Sequence, residues 1–162
     1  MSGRRRLLAT LAAGAGAATA GAALWPLAAA VVEPLGAPDG DAPWVDVAGE
    51  RELSARPLKA VLRAPVQDGF FTQLIELGAV YLLAGPPLIA LSSVCPHLGC
   101  GITQDARGFV CPCHDSRFDG TGAFVHGPSP RSMDPLPVRV SRGRVEVQAL
   151  RFAPGTRARR PA

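Results

Sequence analysis

Metal-binding side chains are concentrated in one short region of this chain. All four cysteines of the 162 residues lie between positions 95 and 113, and two of the three histidines accompany them. Two boxes carry these side chains: Cys95-Pro96-His97-Leu98-Gly99-Cys100 and Cys111-Pro112-Cys113-His114-Asp115-Ser116. Each box contributes two cysteines and one histidine, and a short hairpin through residues 108–110 is predicted between them. The fold must therefore bring two similar ligand loops together.

The number and spacing of these side chains favour a binuclear iron–sulfur cluster. A structural zinc site uses ligand pairs that are usually about two to four residues apart, whereas a single residue separates Cys95 from His97. A framework of disulfides alone leaves the two histidines without a reason for their placement. In a binuclear cluster, two thiolates can hold one iron and two imidazoles the other. The two remaining cysteines would then join the loops in an oxidising compartment. A zinc-stabilised exported domain with no redox role is the alternative from another class.

Beyond residue 44 the sequence has the pattern of an antiparallel β protein. Glycine (18 residues) and proline (16 residues) are frequent and separate short apolar or alternating runs. Strands are predicted at residues 44–47, 58–62, 70–77, 80–83, 88–94, 108–110, 123–125, 138–140 and 145–150. Gly143 is predicted to lie in a hairpin turn. The expected fold class is all-β, a small antiparallel sandwich or barrel.

The first 32 residues have the properties of an export signal or a membrane anchor. Residues 7–32 contain no charged side chain, and about 20 such residues suffice to cross a hydrocarbon core as a helix. The preceding Arg4-Arg5-Arg6-Leu7-Leu8 resembles a twin-arginine signal. Positive charges at this end would remain cytoplasmic and place the rest of the chain on the other side. Because alanine and glycine dominate the segment, a cleaved signal peptide is an alternative to one retained transmembrane helix.

Breaker residues and charge divide the rest of the chain. Residues 33–43 have a turn or breaker residue at nearly every second position and are predicted to be a hinge linker. The cluster domain is expected at residues 44–152, followed by a basic tail at 153–162 that is solvated and frayed. The formal net charge is +4, but arginines gather at the two ends without interleaved aromatic residues. Nucleic acid is therefore not an expected partner.

The two boxes resemble those of Rieske iron–sulfur proteins, the iron–sulfur subunits of the cytochrome bc1 and b6f complexes. The resemblance implies one [2Fe-2S] cluster with two cysteines on one iron and two histidines on the other: Cys95 and Cys111, and His97 and His114. It also implies a disulfide between Cys100 and Cys113. Gly127-Pro128-Ser129-Pro130 matches the proline-rich loop that covers the cluster in this family. The implied architecture is a Rieske-type β-sandwich preceded by one transmembrane helix.

The same resemblance implies a function in quinol:cytochrome c oxidoreductase. Quinol would bind beside His114, which accepts its hydrogen bond and then its proton. The expected partners are the membrane, quinol, a cytochrome b subunit and a c-type cytochrome. The expected location is the bacterial cytoplasmic membrane, with the cluster domain on the periplasmic side. The alternative is the Rieske small subunit of another exported oxidoreductase, similar to arsenite oxidase.

Four further positions bear on the reduction potential and the surroundings of such a cluster. Ser116 occupies the family's serine-donor position, and its hydroxyl is expected to bond a bridging sulfide. Phe118 stands where high-potential members have tyrosine, which predicts a lower potential and a low-potential quinol such as menaquinol. Asp115 replaces the usual glycine, and its carboxylate would lower the potential further unless water screens it. His126 matches no ligand position and is expected to be a solvated loop residue.

Overall fold

The computed structural model describes residues 3–32, 42–68 and 70–161. The chain divides into two compact units, Met1–Asp41 and Ala42–Ala162. In the first unit, helix α1 runs from Gly3 to Val32 and contains Pro26. Among the described residues, we find no helix whose length and apolar character would let it cross a membrane. The predicted hinge lies outside the described residues over 33–41.

The second unit is built from antiparallel strands, as predicted. Its described residues form eleven strands: β1 (Trp44–Gly49), β2 (Leu58–Asp68), β3 (Phe71–Leu83), β4 (Ile89–Ser92), β5 (Thr103–Asp105), β6 (Gly108–Cys111), β7 (Ser116–Phe118), β8 (Phe124–His126), β9 (Pro135–Leu136), β10 (Val138–Ser141) and β11 (Arg144–Gln148). They pair in three sheets, in the orders β1-β11-β10, β2-β3-β4-β9 and β5-β6-β7-β8. A 3₁₀ turn at Glu50–Glu52 follows β1.

The first two sheets share one hydrophobic core. In β11 the buried residues alternate, and Val145 and Val147 point inward. They belong to the same buried cluster as Leu62 and Leu82 of the second sheet. Burying each such side chain contributes about 1.5–3 kcal/mol. These two sheets are therefore packed against each other through this core.

One difference between the predicted and observed strands has its origin in glycine, whereas three short strands, β5, β7 and β9, were not predicted at all. The runs at 70–77 and 80–83 form one strand, β3, because Gly78 (φ 142°) accommodates a bulge rather than a break. Leu62 pairs with Gly78 and Arg63 with Glu76, so one residue of β3 is left over. The predicted hairpin at Gly143 is confirmed, since Arg142 (φ 51°) and Gly143 (φ 74°) both have the positive φ of a type I′ turn.

The second box lies in the third sheet, where Cys111 ends β6 and Ser116 begins β7, whereas the first box lies between β4 and β5. Both boxes adjoin a second hydrophobic core. Phe109, Phe118, Ile102 and Met133 are buried together with Tyr81 and with two cysteines, Cys95 and Cys111. The Tyr81 hydroxyl donates to the carbonyl oxygen of Ile102 at 3.1 Å, which ties the second sheet to the segment between the first box and β5. Cys95 of the first box and Cys111 of the second box are thus packed into this core.

The expectation of a frayed tail is wrong for the part of the tail that the structure describes. Residues 152–161, which we name the C-terminal strap, fold back on themselves through a bridge between Phe152 and Pro161. Within the strap, the N–H of Ala153 donates to the carbonyl oxygen of Arg160 at 2.8 Å. The N–H of Gly155 donates to the carbonyl oxygen of Pro96 at 2.8 Å. The strap is therefore bonded to the first box.

Candidate metal centre

Each sequence box forms a loop closed by an antiparallel pair of residues. Val94 bridges to Gly101 around the first box, and Cys111 pairs with Ser116 around the second. Inside the first loop, the N–H of Cys95 donates to the carbonyl oxygen of Cys100 at 2.7 Å. Such closed loops hold their side chains in fixed directions, which a metal site requires.

The four cysteines separate into one bonded pair and one free pair. Cys100 and Cys113 form a disulfide with their Cα atoms 6.6 Å apart, as the resemblance implies. Cys95 and Cys111 are free thiols, 0% and 1% exposed. The sulfurs of Cys100, Cys111 and Cys113 lie within 4.8 Å of one another. Because a disulfide offers no thiolate, only Cys111 of these three can bind a metal as a thiolate.

The two box histidines lie face to edge. Their ring centroids are 4.9 Å apart with an angle of 88° between the planes. His97 is half-buried and His114 is exposed. The Nδ1 atom of His97 is buried, and among the described residues it has no hydrogen-bond partner. A buried polar atom without a partner is unfavourable, and a metal bound at Nδ1 would satisfy it. The donor set therefore fits an iron site.

The environment of Cys95 favours its protonated form when no metal is bound. Burial raises the pKa of this thiol, and the neighbouring sulfur of Cys111 raises it further. The main-chain N–H of His97 and the side chain of Ser116 act in the opposite direction by hydrogen bonding. Since a metal binds the thiolate, loading the site must release a proton here.

Ser116 connects Cys95 to the proline-rich covering loop, residues 127–130. Its side chain is fully buried, and its Oγ accepts a hydrogen bond from the N–H of Ser129 at 3.1 Å. A Cβ on Gly127 would stand 2.6 Å from the Cα of Ser116, and Gly127 has φ 106°. The covering loop thus lies directly on the strand that begins at Ser116, and only glycine permits this contact.

The remaining predicted positions lie around this centre. Phe118 is buried in the core that contains Cys95 and Cys111. Asp115 is exposed, has φ 53°, and pairs with Arg117 at 3.1 Å between Oδ1 and Nη2. His126 is exposed and lies opposite Arg117 in the pairing of β7 and β8. The prediction that His126 is solvated agrees with this exposure, but His126 ends strand β8 and does not lie in a loop.

Sequence reasoning missed a buried ion pair next to the covering loop. Arg131 and Asp134 have side chains that are 7% and 5% exposed, and Nη2 lies 2.7 Å from Oδ2. The two residues follow the proline-rich loop, but nothing in their spacing distinguishes them from an exposed turn. The burial of the neighbouring Met133 and Leu136 would have indicated that this ion pair is buried, but the sequence does not show that burial.

Comparison with known proteins agrees with this geometry. The sequence profile of the Rieske [2Fe-2S] domain matches residues 43–143, which is more than half of the chain. The chain therefore belongs to the Rieske [2Fe-2S] family and carries a domain for this cluster. Among its relatives are iron–sulfur subunits of the cytochrome b6-f complex.

Three of these relatives show how far the similarity extends. The subunit from Synechococcus sp. (strain CC9605) is 31% identical over 140 residues, covering 81% of this chain and 76% of the relative. The subunit from Chlorobaculum tepidum is 28% identical over 146 residues, covering 89% and 74%. The one from Parasynechococcus marenigrum (strain WH8102) is 37% identical over 75 residues, but the match spans only 42% of its length.

Solved structures include a Rieske protein. The crystal structure of the cyanobacterial plasma membrane Rieske protein PetC3 from Synechocystis PCC 6803 is 25% identical and superposes with a TM-score of 0.39. The match covers 54% of this chain and 84% of that protein.

Proposed function

We propose that this chain is the iron–sulfur subunit of a quinol:cytochrome c oxidoreductase of the bc1 or b6f type. Its ligands would be the two free cysteines and the two box histidines: Cys95, Cys111, His97 and His114. The observation that carries the proposal is the division of the cysteines into a disulfide and a buried free pair beside two adjacent imidazoles. The names of the relatives favour this complex over an arsenite-oxidase-like enzyme.

Several residues together would hold the [2Fe-2S] cluster. Cys95 and Cys111 supply two buried thiolates, and His97 supplies a buried nitrogen. When bound, a [2Fe-2S] cluster with mixed ligands accepts and gives up one electron at a higher potential than an all-cysteine cluster. The Cys100–Cys113 disulfide joins the two boxes covalently and so limits how far they can separate.

The exposed histidine would receive the substrate. His114 is accessible to solvent while its neighbours in the core are not. A quinol hydroxyl could donate a hydrogen bond to this imidazole and then release its proton to it. His97 is less exposed, and its Nδ1 is enclosed. We therefore assign the proton-accepting role to His114 rather than to His97.

Spectroscopy of the purified full chain tests the ligand assignment. The wild type should contain iron and labile sulfide and give the electron paramagnetic resonance spectrum of a Rieske centre after reduction. His114→Ala should abolish this spectrum. His126→Ala removes an exposed histidine of the same sheet and should leave it intact. An iron-free wild type, or an unchanged spectrum in His114→Ala, would contradict the proposal.

Isolation from membranes tests the partners and the location. We propose that residues 1–32 attach the domain to the cytoplasmic membrane, with a cytochrome b subunit and a c-type cytochrome as partners. The absence of charge in residues 7–32 supports this. The chain should stay with membranes in alkaline carbonate and purify with a b-type cytochrome and quinol:cytochrome c reductase activity. Recovery with a molybdopterin enzyme instead would favour the arsenite-oxidase-like alternative.

A further inference from the structure

A buried arginine links the covering loop to the C-terminal strap. The guanidinium of Arg131 binds the carboxylate of Asp134 through two parallel hydrogen bonds, Nε to Oδ1 at 2.8 Å and Nη2 to Oδ2 at 2.7 Å. The same guanidinium donates from Nη1 to the carbonyl oxygen of Thr156 and from Nη2 to that of Ala153, the latter at 3.1 Å. Only a planar group with several donors can serve all these acceptors at once.

The strap in turn contacts the first box. The N–H of Gly155 donates to the carbonyl oxygen of Pro96, the residue between Cys95 and His97. Gly155 has φ 74°, so the turn that presents this N–H uses the left-handed region. A cavity of about 280 Å³ is lined both by Phe152 and Pro154 and by Cys95 and Pro96. The strap therefore also covers one side of the first ligand loop.

Arg131 is connected to Cys95 through two serines. Its carbonyl oxygen accepts a hydrogen bond from the Ser129 hydroxyl at 2.8 Å, and the N–H of Ser129 donates to the Ser116 oxygen at 3.1 Å. Because that oxygen already accepts one bond from the covering loop, the Ser116 proton is free to point towards the sulfur of Cys95. Moving Arg131 would therefore reorient this donor.

We propose that Arg131 is a positioning residue for the cluster, and that it acts by holding the covering loop and the C-terminal strap together. The inference rests on the cluster proposed above. Through Ser129 it fixes the Ser116 donor, and through the strap it fixes Pro96. A hydrogen bond to a cluster sulfur stabilises the reduced state, so weakening this network lowers the reduction potential.

The test uses the full chain loaded with its cluster. In Arg131→Gln we expect the reduction equilibrium to shift about threefold towards the oxidised state, which is about 28 mV lower in midpoint potential at about 59 mV per tenfold change. Arg131→Lys keeps the charge but loses the planar guanidinium, and should lower the midpoint potential less than Arg131→Gln does. Arg139→Gln removes an exposed arginine that pairs with Glu146 in the first sheet, and should leave the potential unchanged.

A second pair of variants tests the strap without touching the ion pair. Gly155→Val places a β-branched residue at φ 74° and should displace the turn from Pro96. We expect a lower potential and faster iron loss to a chelator. Gly155→Asn is the matched control, because asparagine tolerates this backbone region and an added Cβ would meet no atom closer than 3.7 Å.

The measurements distinguish an effect on the reduction potential of the cluster from an effect on folding. Melting temperature and circular dichroism report folding, while the potential and the paramagnetic resonance spectrum report the cluster. If Arg131→Gln and Gly155→Val lower the melting temperature but keep the wild-type potential and spectrum, the proposal is wrong. If Arg131→Gln does not fold, Ser129→Ala decides, since it keeps the ion pair but loses the bond to Arg131; an unchanged potential there would also overturn it. A wild type without iron would refute the proposed function instead.

Discussion

The carboxylate of Asp115 lies 3.1 Å from the guanidinium of Arg117, across the loop that carries the second pair of ligands. Asp115 also adopts φ 53°, a left-handed backbone that glycine reaches without strain. This conformation would suit the glycine that the family resemblance implies at this position. The charge of Asp115 is partly balanced by Arg117, which also lies 3.3 Å from Asp105.

Replacing Asp115 by asparagine should therefore change the potential very little. Asparagine tolerates the left-handed backbone as aspartate does, and an exposed ion pair contributes only about 0–1 kcal/mol to stability. Redox titration should show a smaller shift for Asp115→Asn than for Ser116→Ala, which loses a buried donor. A larger shift for Asp115→Asn would mean that its charge acts on the cluster despite Arg117.

Phe118→Tyr should raise the midpoint potential. Phe118 is buried in the core that contains Cys95 and Cys111, and a hydroxyl there would supply a donor to sulfur. Phe124→Tyr is the control, since Phe124 packs edge-on against Phe118 but is exposed. Redox titration of the three proteins side by side measures the effect. An unchanged or lowered potential in Phe118→Tyr would count against the expectation that phenylalanine lowers the potential.

Gly127→Ala should destabilise the protein and release the covering loop. The new Cβ would stand 2.6 Å from the Cα of Ser116 and 2.8 Å from the carbonyl oxygen of Asp115. Overpacking of this kind costs about 1–3 kcal/mol. Gly120→Ala adds the same methyl group where no atom lies within 4 Å, and should be nearly neutral. Urea unfolding checks both, and equal stabilities would show that the loop can move aside.

Asp119 should contribute stability at neutral pH that is lost in acid. Its pKa is lowered from the ordinary 3.8, first by the hydrogen bond from the Thr121 hydroxyl and then by main-chain N–H groups, including that of Ala123. A carboxylate with a lowered folded pKa stabilises the fold above its unfolded pKa, and the effect disappears as pH falls through the folded value.

Asp119→Asn removes this titration and keeps the size of the side chain. The difference in unfolding free energy between wild type and variant should therefore shrink when the pH is lowered from 7 to 3. Comparison of the two proteins cancels the protonation of the histidines, which they share. A difference that stays constant over this range would exclude a role for the ionised carboxylate.

The two boxes were predictable as a site because their chemistry is local, while the assignment of the four ligands stays a prediction. A single residue separates Cys95 from His97, and this spacing alone argues against zinc. The longer apolar runs were predictable for a related reason, since alternation along a strand reflects which face is buried. Strand β7 was missed because its three residues, Ser116 to Phe118, are too few to show a pattern.

The strap and the buried ion pair could not be predicted because they depend on contacts distant in sequence. Arg131 lies 25 residues before Thr156, whose carbonyl oxygen it binds. Arginines near a chain end are usually solvated, and Arg157 and Arg160 are indeed exposed. The strap is held through main-chain groups of Ala153, Gly155 and Thr156, and also through the Thr156 hydroxyl and the Arg159 side chain, which lies 3.3 Å from the Asp134 carboxylate. Residue types say little about partners so distant in sequence.

The hydrogen bond from Ser129 to Ser116 provides a natural reporter of access to the site. Its donor is a buried main-chain amide, so it can exchange with deuterium only when the covering loop lifts away. The exchange rate of the Ser129 amide therefore measures how often the covering loop opens. Mass spectrometry with fragmentation that resolves single residues could follow it without any spectroscopic label.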